Sequence, residues 1–321
     1  QILVPSVTFV STVNTILHND LSPVLVDVCG SDFNMDPDKI GEKITSKTKA
    51  VLAVDLLGQP CQIDRIKKVV GASHVGISVI EDSCEAMAVN YRGQPVGSEA
   101  DIACYSTYMS HLMSTGVGGF VTASDPRMME IMRSLIWHGR DPNYLSMDDN
   151  EKDKKSLLET RFKFNRVGHN FRLTEMEAAL GIDELARLKD NIVARQQNAA
   201  FLTETFRDLF PLELGSASFL YEYFQTPTIR KDTEHAFMFY PIMVRGGCRD
   251  ELALHLEENG VQTRGIMPLT NQPAYKDWLI EDNYPVAQAI NKHGLLLPCH
   301  QYLSQTQLDH MVESMRSFYR C

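Results

Sequence analysis

The chain has 321 residues, 44% of them hydrophobic, and a formal charge of -10, enough apolar material for a large domain with a smaller one beside it. An acidic balance without a basic patch argues against nucleic acid, whose phosphates demand clustered Lys and Arg. No stretch reaches the roughly 18 to 20 uninterrupted apolar residues of a membrane span, so a small-molecule substrate and a cytoplasmic location are expected.

The chain opens abruptly at Gln1-Ile2-Leu3-Val4-Pro5, with no basic leader or cleavage pattern, as though an N-terminal part were missing. Short β-branched runs follow at Val24 to Val28, Ala50 to Asp55, Gly76 to Glu81, Ile102 to Tyr105 and Gly119 to Thr122. A helical pattern at Ile63 to Val70 lies among them. This alternation predicts an α/β domain with a mostly parallel sheet. From Asp141 to Thr160 the chain turns polar, which reads as a loop or lid. Thr174 to Phe206 reads as a long helix opened by the capping-box spacing Thr174-x-x-Glu177 and interrupted near Leu188 to Asn191. A strand at Met238 to Val244, a helix at Arg249 to Asn259 and a last helix at Ser304 to Tyr319 suggest a smaller α+β domain. The expected division is 1–190 and 191–321. Seven cysteines lie singly, without CxxC or CxC, so neither a zinc cage nor a disulfide framework is signalled and no metal is expected.

Chemistry is concentrated in two runs. The strand ending in Glu81-Asp82 leads to Glu85, and the carboxyl ends of strands are where open α/β sheets bind ligands. Acidic capping of a helix accounts for these residues equally well. Ser106 to His111 follows the next strand, and Ser114-Thr115-Gly116-Val117-Gly118-Gly119 leads into another. Hydroxyls beside glycines can hold a phosphate, although a plain turn explains them too.

Taken in order, Val4-Pro5-Ser6-x-Thr8-Phe9, Leu57-Gly58-Gln59-Pro60, Glu81-Asp82-x-Cys84-Glu85, Ser106-x-Tyr108-x-Ser110-His111 with Gly118-Gly119, His138-Gly139, Gly168-His169-Asn170-Phe171-Arg172 and Glu175-Met176-x-Ala178 form a set. It is similar to the sugar aminotransferases of the DegT/DnrJ/EryC1/StrS family. The resemblance implies the aspartate-aminotransferase-like fold (type I), with a large mixed sheet and a smaller C-terminal domain. It also implies a cofactor, pyridoxal 5′-phosphate or pyridoxamine 5′-phosphate, held at a homodimer interface with shared sites. Nucleotide-linked keto sugars are the implied substrates and glutamate the implied amine donor.

Position by position, the resemblance makes Asp82 the partner of the pyridine nitrogen, Glu85 the residue near the ring hydroxyl, and Phe9 the stacking aromatic. Ser106 becomes a phosphate ligand, and Asn170 reaches the neighbouring subunit's cofactor. His138, Arg140 and Arg264 are candidate contacts to sugar or diphosphate, because the planar Arg forks suit phosphate oxygens; ordinary surface ion pairing is the alternative for these.

At position 111 the family normally has lysine, and imidazole cannot form its stable covalent link to the cofactor. It can still carry protons near neutral pH. Such a His-for-Lys branch exists, the 4-keto-6-deoxy sugar 3-dehydratases, among them the GDP-4-keto-6-deoxymannose enzyme. Leu56-Leu57-Gly58, Glu85, Ser110-His111, the polar insertion, Phe162-Lys163-Phe164 and Asn170 resemble it. The branch implies loss of the C3 hydroxyl, with His111 moving the proton. Two departures stand out. Val117 replaces the family's usual Glu, and the glycine- and hydroxyl-rich phosphate turn expected upstream of Val4 is not in the sequence. An aminotransferase working without a covalent lysine is the alternative, and a catalytically inactive homologue a further one.

Overall fold

The computed structural model describes residues 1–73, 76–141, 154–210, 223–266, 268–277, 279 and 283–319. Its first sheet contains β1 (Ile2–Pro5), β2 (Pro23–Val26), β3 (Ala50–Val54) and β4 (Ser78–Asp82). A small hairpin, β5 (Asn90–Tyr91) and β6 (Gln94–Pro95), precedes the sheet's last two strands, β7 (Ile102–Ser106) and β8 (Gly119–Ala123). The spatial order is β2-β1-β3-β4-β7-β8. Pairing is parallel throughout except between β7 and β8.

The apolar runs seen in the sequence match a parallel sheet buried on both faces. Strand alternation sends Leu3, Val51 and Val79 to one core, where Ile63, Ile66 and Val70 of the helix Ile63–Ala72 pack on them. It sends Ile2 and Val4 to the other, against Val13 and Ile16 of the helix Val10–His18. Strand β1, second from one edge of the sheet, is legible in the sequence only as an apolar opening run.

The second sheet comprises β9 (Phe224–Gln225), β10 (Tyr240–Val244), β11 (Arg264–Gly265) and β12 (Gly294–Leu297), in the antiparallel order β11-β12-β10-β9. The helices Arg249–Glu258 and Gln305–Tyr319 bury Leu252, Leu256, Leu308, Met311 and Met315 with it.

One helix, Glu175–Leu209, serves both cores and is not interrupted at Leu188 to Asn191 as the sequence suggested. Asp190 and Asn191 are modest helix formers, but Leu188 and Ile192 on either side are buried against Leu112, Met113 and Met238, and packing overrides propensity. Further along, Ala199, Leu202 and Phe206 enter the second core. Asp27 adds another tie: its carboxylate accepts the Val286 and Ala287 N–H groups at 3.0 and 3.1 Å, capping the helix Pro285–His293. The polar insertion lies largely outside the described residues; where they resume, Lys154–Thr160 is helical.

Candidate functional site

Parallel strands bring their carboxyl ends to one edge of the sheet, and that edge gathers the chemistry. Phe9 follows β1, the turn Leu56–Gly58 follows β3, Glu85 follows β4, and His111 lies five residues beyond Ser106 at the end of β7. Gly119, opening β8, is paired directly with Ser106.

Asp82 ends β4 half-buried; its carbonyl accepts the Asp55 N–H at 3.0 Å and its Oδ1 the Cys84 N–H at 3.2 Å. Main-chain bonds therefore fix this carboxylate in place. Glu85 accepts the Leu57 N–H at 2.5 Å. Burial pushes its carboxyl up to about 7, the Leu57 bond opposing and the Asp82 charge adding. Leu57 can aim that N–H because it adopts a left-handed conformation, φ 60°. The Met238 N–H donates to the Leu57 carbonyl at 3.1 Å and the Ala236 N–H to the Gly58 carbonyl at 2.7 Å. Gly58 is required here: its φ is +100°, and a Cβ would stand 2.8 Å from the Phe237 nitrogen.

His111 is half-buried, its N–H bonded to the Tyr108 carbonyl at 2.9 Å and its ring edge-on to Tyr108. Its Nδ1 is buried with no hydrogen-bond partner among the described residues. Burial moves the imidazole below its ordinary pKa, while the Asp82 charge pulls it back up. Burial thus favours the neutral ring, which has a nitrogen free to take a proton.

The Ser106 hydroxyl accepts the Tyr108 N–H at 3.2 Å. A buried threonine pair, Thr107 and Thr115, joined at 2.6 Å, braces the glycine loop, and Val117 stands exposed on it. Phe9 is 68% exposed at the start of the helix Val10–His18, a position open to a planar ring.

Two clefts of about 570 and 560 Å³ meet here, sharing Phe239, Arg264 and Leu296 as a common wall. The first is lined by Ser110, His111, Arg195, Gln262 and Tyr302, the second by Phe9, Leu57, Glu85 and Gln272. The Arg264 guanidinium stacks over Phe239 at 5.7 Å. Arg195 and Phe239 had no signal in the sequence. Arg195 is buried in the long helix and donates to the Phe237 and Met238 carbonyls, each at 3.1 Å, partners some forty residues away.

Five expected residues line neither cleft: Asp82 and Ser106, at the strand ends described above, and His138, Arg140 and Asn170. His138 is exposed in a left-handed conformation, and Arg140 stacks on Trp137, Phe162 and Phe164. Asn170 is exposed, with its Oδ1 accepting the Arg172 Nε–H at 3.0 Å.

The family model described as the DegT/DnrJ/EryC1/StrS aminotransferase family matches residues 1–316. GDP-perosamine synthase of Caulobacter vibrioides is 30% identical over 98% of this chain and 78% of its own. GDP-4-keto-6-deoxy-D-mannose 3-dehydratase of Yersinia pseudotuberculosis is 30% identical over 98% of this chain and 79% of its own. A crystal structure of a GDP-4-keto-6-deoxymannose-3-dehydratase mutant with bound GDP-perosamine superposes with a TM-score of 0.84 at 25% identity, covering 98% of this chain and 80% of that one.

Proposed function

This chain belongs to the DegT/DnrJ/EryC1/StrS aminotransferase family, and from that premise we propose that it removes the C3 hydroxyl of a nucleotide-linked 4-keto sugar, with His111 carrying the proton. It is a pyridoxal-phosphate-dependent enzyme with the aspartate-aminotransferase-like fold. The site residues fit that cofactor. The unpartnered, buried Nδ1 of His111 lies in the field of the Asp82 carboxylate, and an acceptor and a proton carrier are what a protonated pyridine and its reacting carbon need. When bound, pyridoxamine 5′-phosphate would supply an amine that condenses with the sugar ketone and a ring that takes up the electrons left by a departing proton and releases them as a neighbouring C–O bond breaks.

The chain's residues do the rest. Asp82 would hold the pyridine N–H, Phe9 would cover the ring, Glu85 would meet the ring hydroxyl, and Ser106 would offer its hydroxyl to the phosphate. His111, neutral because it is buried, takes the proton at an imidazole nitrogen and returns it. Arg264, on the wall common to both clefts, suits a diphosphate. The observation that carries the reading is that His111 lines the cleft while no lysine is among the described residues of either cleft. Chemistry through a covalent lysine therefore has no amine to use.

Amine transfer is the second reading, favoured by the likeness to a perosamine synthase, equal in identity to the likeness to the dehydratase. Incubation with pyridoxamine phosphate, glutamate and a panel of 4-keto nucleotide sugars separates the two by product mass. Loss of oxygen with ammonia release supports dehydration, and retained nitrogen supports transfer. Absence of any cofactor spectrum refutes both.

The proposal includes a homodimer with shared sites and glutamate as amine donor. Val167, Phe171, Met176, Leu180, Ile182 and Leu185 are exposed along one stretch of chain, Val167 at 98% and Met176 at 77%, and exposed apolar patches of this kind mark interaction surfaces. His138, Arg140 and Asn170 sit in or beside that stretch, where a partner's cleft can use them. A cytoplasmic location suits the six described cysteines, all unpaired; no described helix is long and apolar enough to cross a membrane.

A further inference from the structure

Behind Asp82 lies a buried cluster that none of this chemistry uses. Glu81 and Asp82 are successive residues of β4, so their side chains leave opposite faces of the sheet. Asp82 is half-buried, whereas Glu81 is 2% exposed. Asp55, just past the end of β3, is wholly buried, as is Cys61. One polar ligand atom from each of Asp55, Cys61 and Glu81 falls in a group spanning no more than 4.8 Å.

The main chain satisfies only part of this cluster. Asp55 Oδ1 accepts the Cys61 N–H at 2.7 Å and Glu81 Oε2 accepts the Gly97 N–H at 3.1 Å. Asp55 Oδ2 is buried and makes no well-aligned hydrogen bond among the described residues, although the Ser83 hydroxyl lies near enough to act on this carboxyl. Two carboxylates this close cannot both be ionised away from water. A single proton between them removes the repulsion and supplies the missing donor.

We propose that Glu81 is a neutral carboxylic acid whose O–H donates to Asp55, and that this shared proton positions the Leu56–Gly58 turn at the edge of the cleft. The connection runs through the backbone. Asp55 roots that turn: its N–H is bonded to the Asp82 carbonyl at 3.0 Å and its carbonyl accepts the Gly58 N–H at 3.4 Å. The turn in turn presents the Leu57 N–H to Glu85. Glu81 is thus a positioning residue, two bonded steps from the cleft.

The surrounding groups favour the neutral acid. Burial raises Glu81 above the ordinary carboxylate range, and the Asp55 and Glu99 charges push the same way. Burial also raises Asp55, with the Cys61 and Ser83 bonds opposing and the Asp82 charge adding. Tyr105 faces the pair from β7. Arg230, the cation felt at Cys61, is already paired with Asp32.

The test compares the wild-type chain with Glu81→Gln and Glu81→Ala. Glutamine keeps an N–H donor that pH cannot remove, whereas alanine keeps none. Difference infrared spectra of wild type near neutral pH should show a carboxylic-acid carbonyl band that Glu81→Gln loses. An unfolded chain releases the Glu81 proton in the ordinary carboxylate range while the folded chain retains it, so wild-type stability falls as pH rises above that range. Glu81→Gln should match wild type near about pH 5 and melt ~5 °C higher near about pH 8. Pyridoxamine phosphate should bind Glu81→Gln within about 2-fold of wild type and Glu81→Ala roughly 10-fold more weakly.

With Glu85→Gln as the common background, which removes the other buried acid, an acid-carbonyl band undiminished by Glu81→Gln overturns the proposal, as does a Glu81→Gln melting profile that follows wild type at both pH values. So does release of one equivalent of divalent metal when wild type unfolds, which would make the cluster a metal site. If Glu81→Ala does not fold, the two Glu81→Gln comparisons still decide. The binding arm rests on the cofactor reading, but the infrared and melting arms need no cofactor. Failure of wild type to bind pyridoxamine phosphate would count against the function and leave the shared proton standing.

Discussion

The strand ends that carry Leu57, Asp82 and Glu85, and the segment from Trp137 to Leu185 that carries His138, Arg140 and Asn170, are held in different ways. At the strand ends, main-chain N–H groups clamp the acidic side chains: Cys84 on Asp82 and Leu57 on Glu85. The described parts of the segment are joined by main-chain bonds such as the His138 N–H to the His169 carbonyl at 2.8 Å, but their side chains are held by stacking. Arg172 lies over Trp137 at 4.7 Å and His169 on Phe171 at 4.6 Å, while a row of apolar side chains stays in water. The first region is finished within one chain, and the second needs something to cover it. In the proposed homodimer, proton chemistry would belong to a single subunit and recognition would be shared.

Replacing His111 by Asn tests the first region alone. Turnover should fall by about 10²- to 10⁴-fold, the usual worth of a positioned proton carrier, with cofactor affinity and oligomeric state unchanged by titration and size-exclusion chromatography. Retention of most of the activity would remove His111 from the mechanism. The complementary break is Leu180→Asp with Ile182→Asp, two exposed positions on the long helix. Sedimentation should show the dissociation constant of the proposed dimer rising about 100-fold, and turnover should fall with dimer content. A variant that remains dimeric would show that the apolar stretch has another occupant.

The two regions were also unequally legible in the sequence. Val-Leu-Ala-Val at β3 and the Thr174–Glu177 spacing announce themselves locally, and the structure has the corresponding strand and the Thr174 N–H bonded to Glu177 at 2.6 Å. The ordered motifs carried the family. Other features depend on partners far along the chain. Leu57 gives no hint of a left-handed conformation, because the Ala236 and Met238 contacts that hold it lie about 180 residues away. Leu188 and Ile192 bridge a stretch of modest helix formers only once a core exists to receive them. Which of Glu81 and Asp82 faces inward is a question of register, and sequence order alone leaves it open.

Gly139→Ala asks whether the second region is loose in its backbone as well as exposed in its side chains. Gly139 has φ +82°, and a Cβ would stand 1.8 Å from the Arg166 carbonyl oxygen. Gly246 has a similar φ, +72°, with open space around it. Chemical denaturation should show Gly139→Ala costing roughly 2–3 kcal/mol and Gly246→Ala about 1 kcal/mol, the difference being the backbone clash. Equal costs would mean that the segment yields freely and that only a partner gives it shape.

The smallest effect expected is on the acid at the strand ends. Burial raises the Glu85 carboxyl from its ordinary value of 4.5 to about 7. Between those values the unfolded chain has lost the proton and the folded chain still holds it. Stability from this group is therefore full below the ordinary value, falls as pH rises toward about 7, and then levels off. Glu85→Gln keeps an acceptor for the Leu57 N–H and removes the titration. Urea unfolding should find the variant equal to wild type near about pH 4.5 and ~1–2 kcal/mol more stable near about pH 8. A constant difference between the two proteins across that range would mean that Glu85 is ionised in the folded chain. The Leu57 bond would then outweigh burial, and the strand ends would be finished by charge rather than by a held proton.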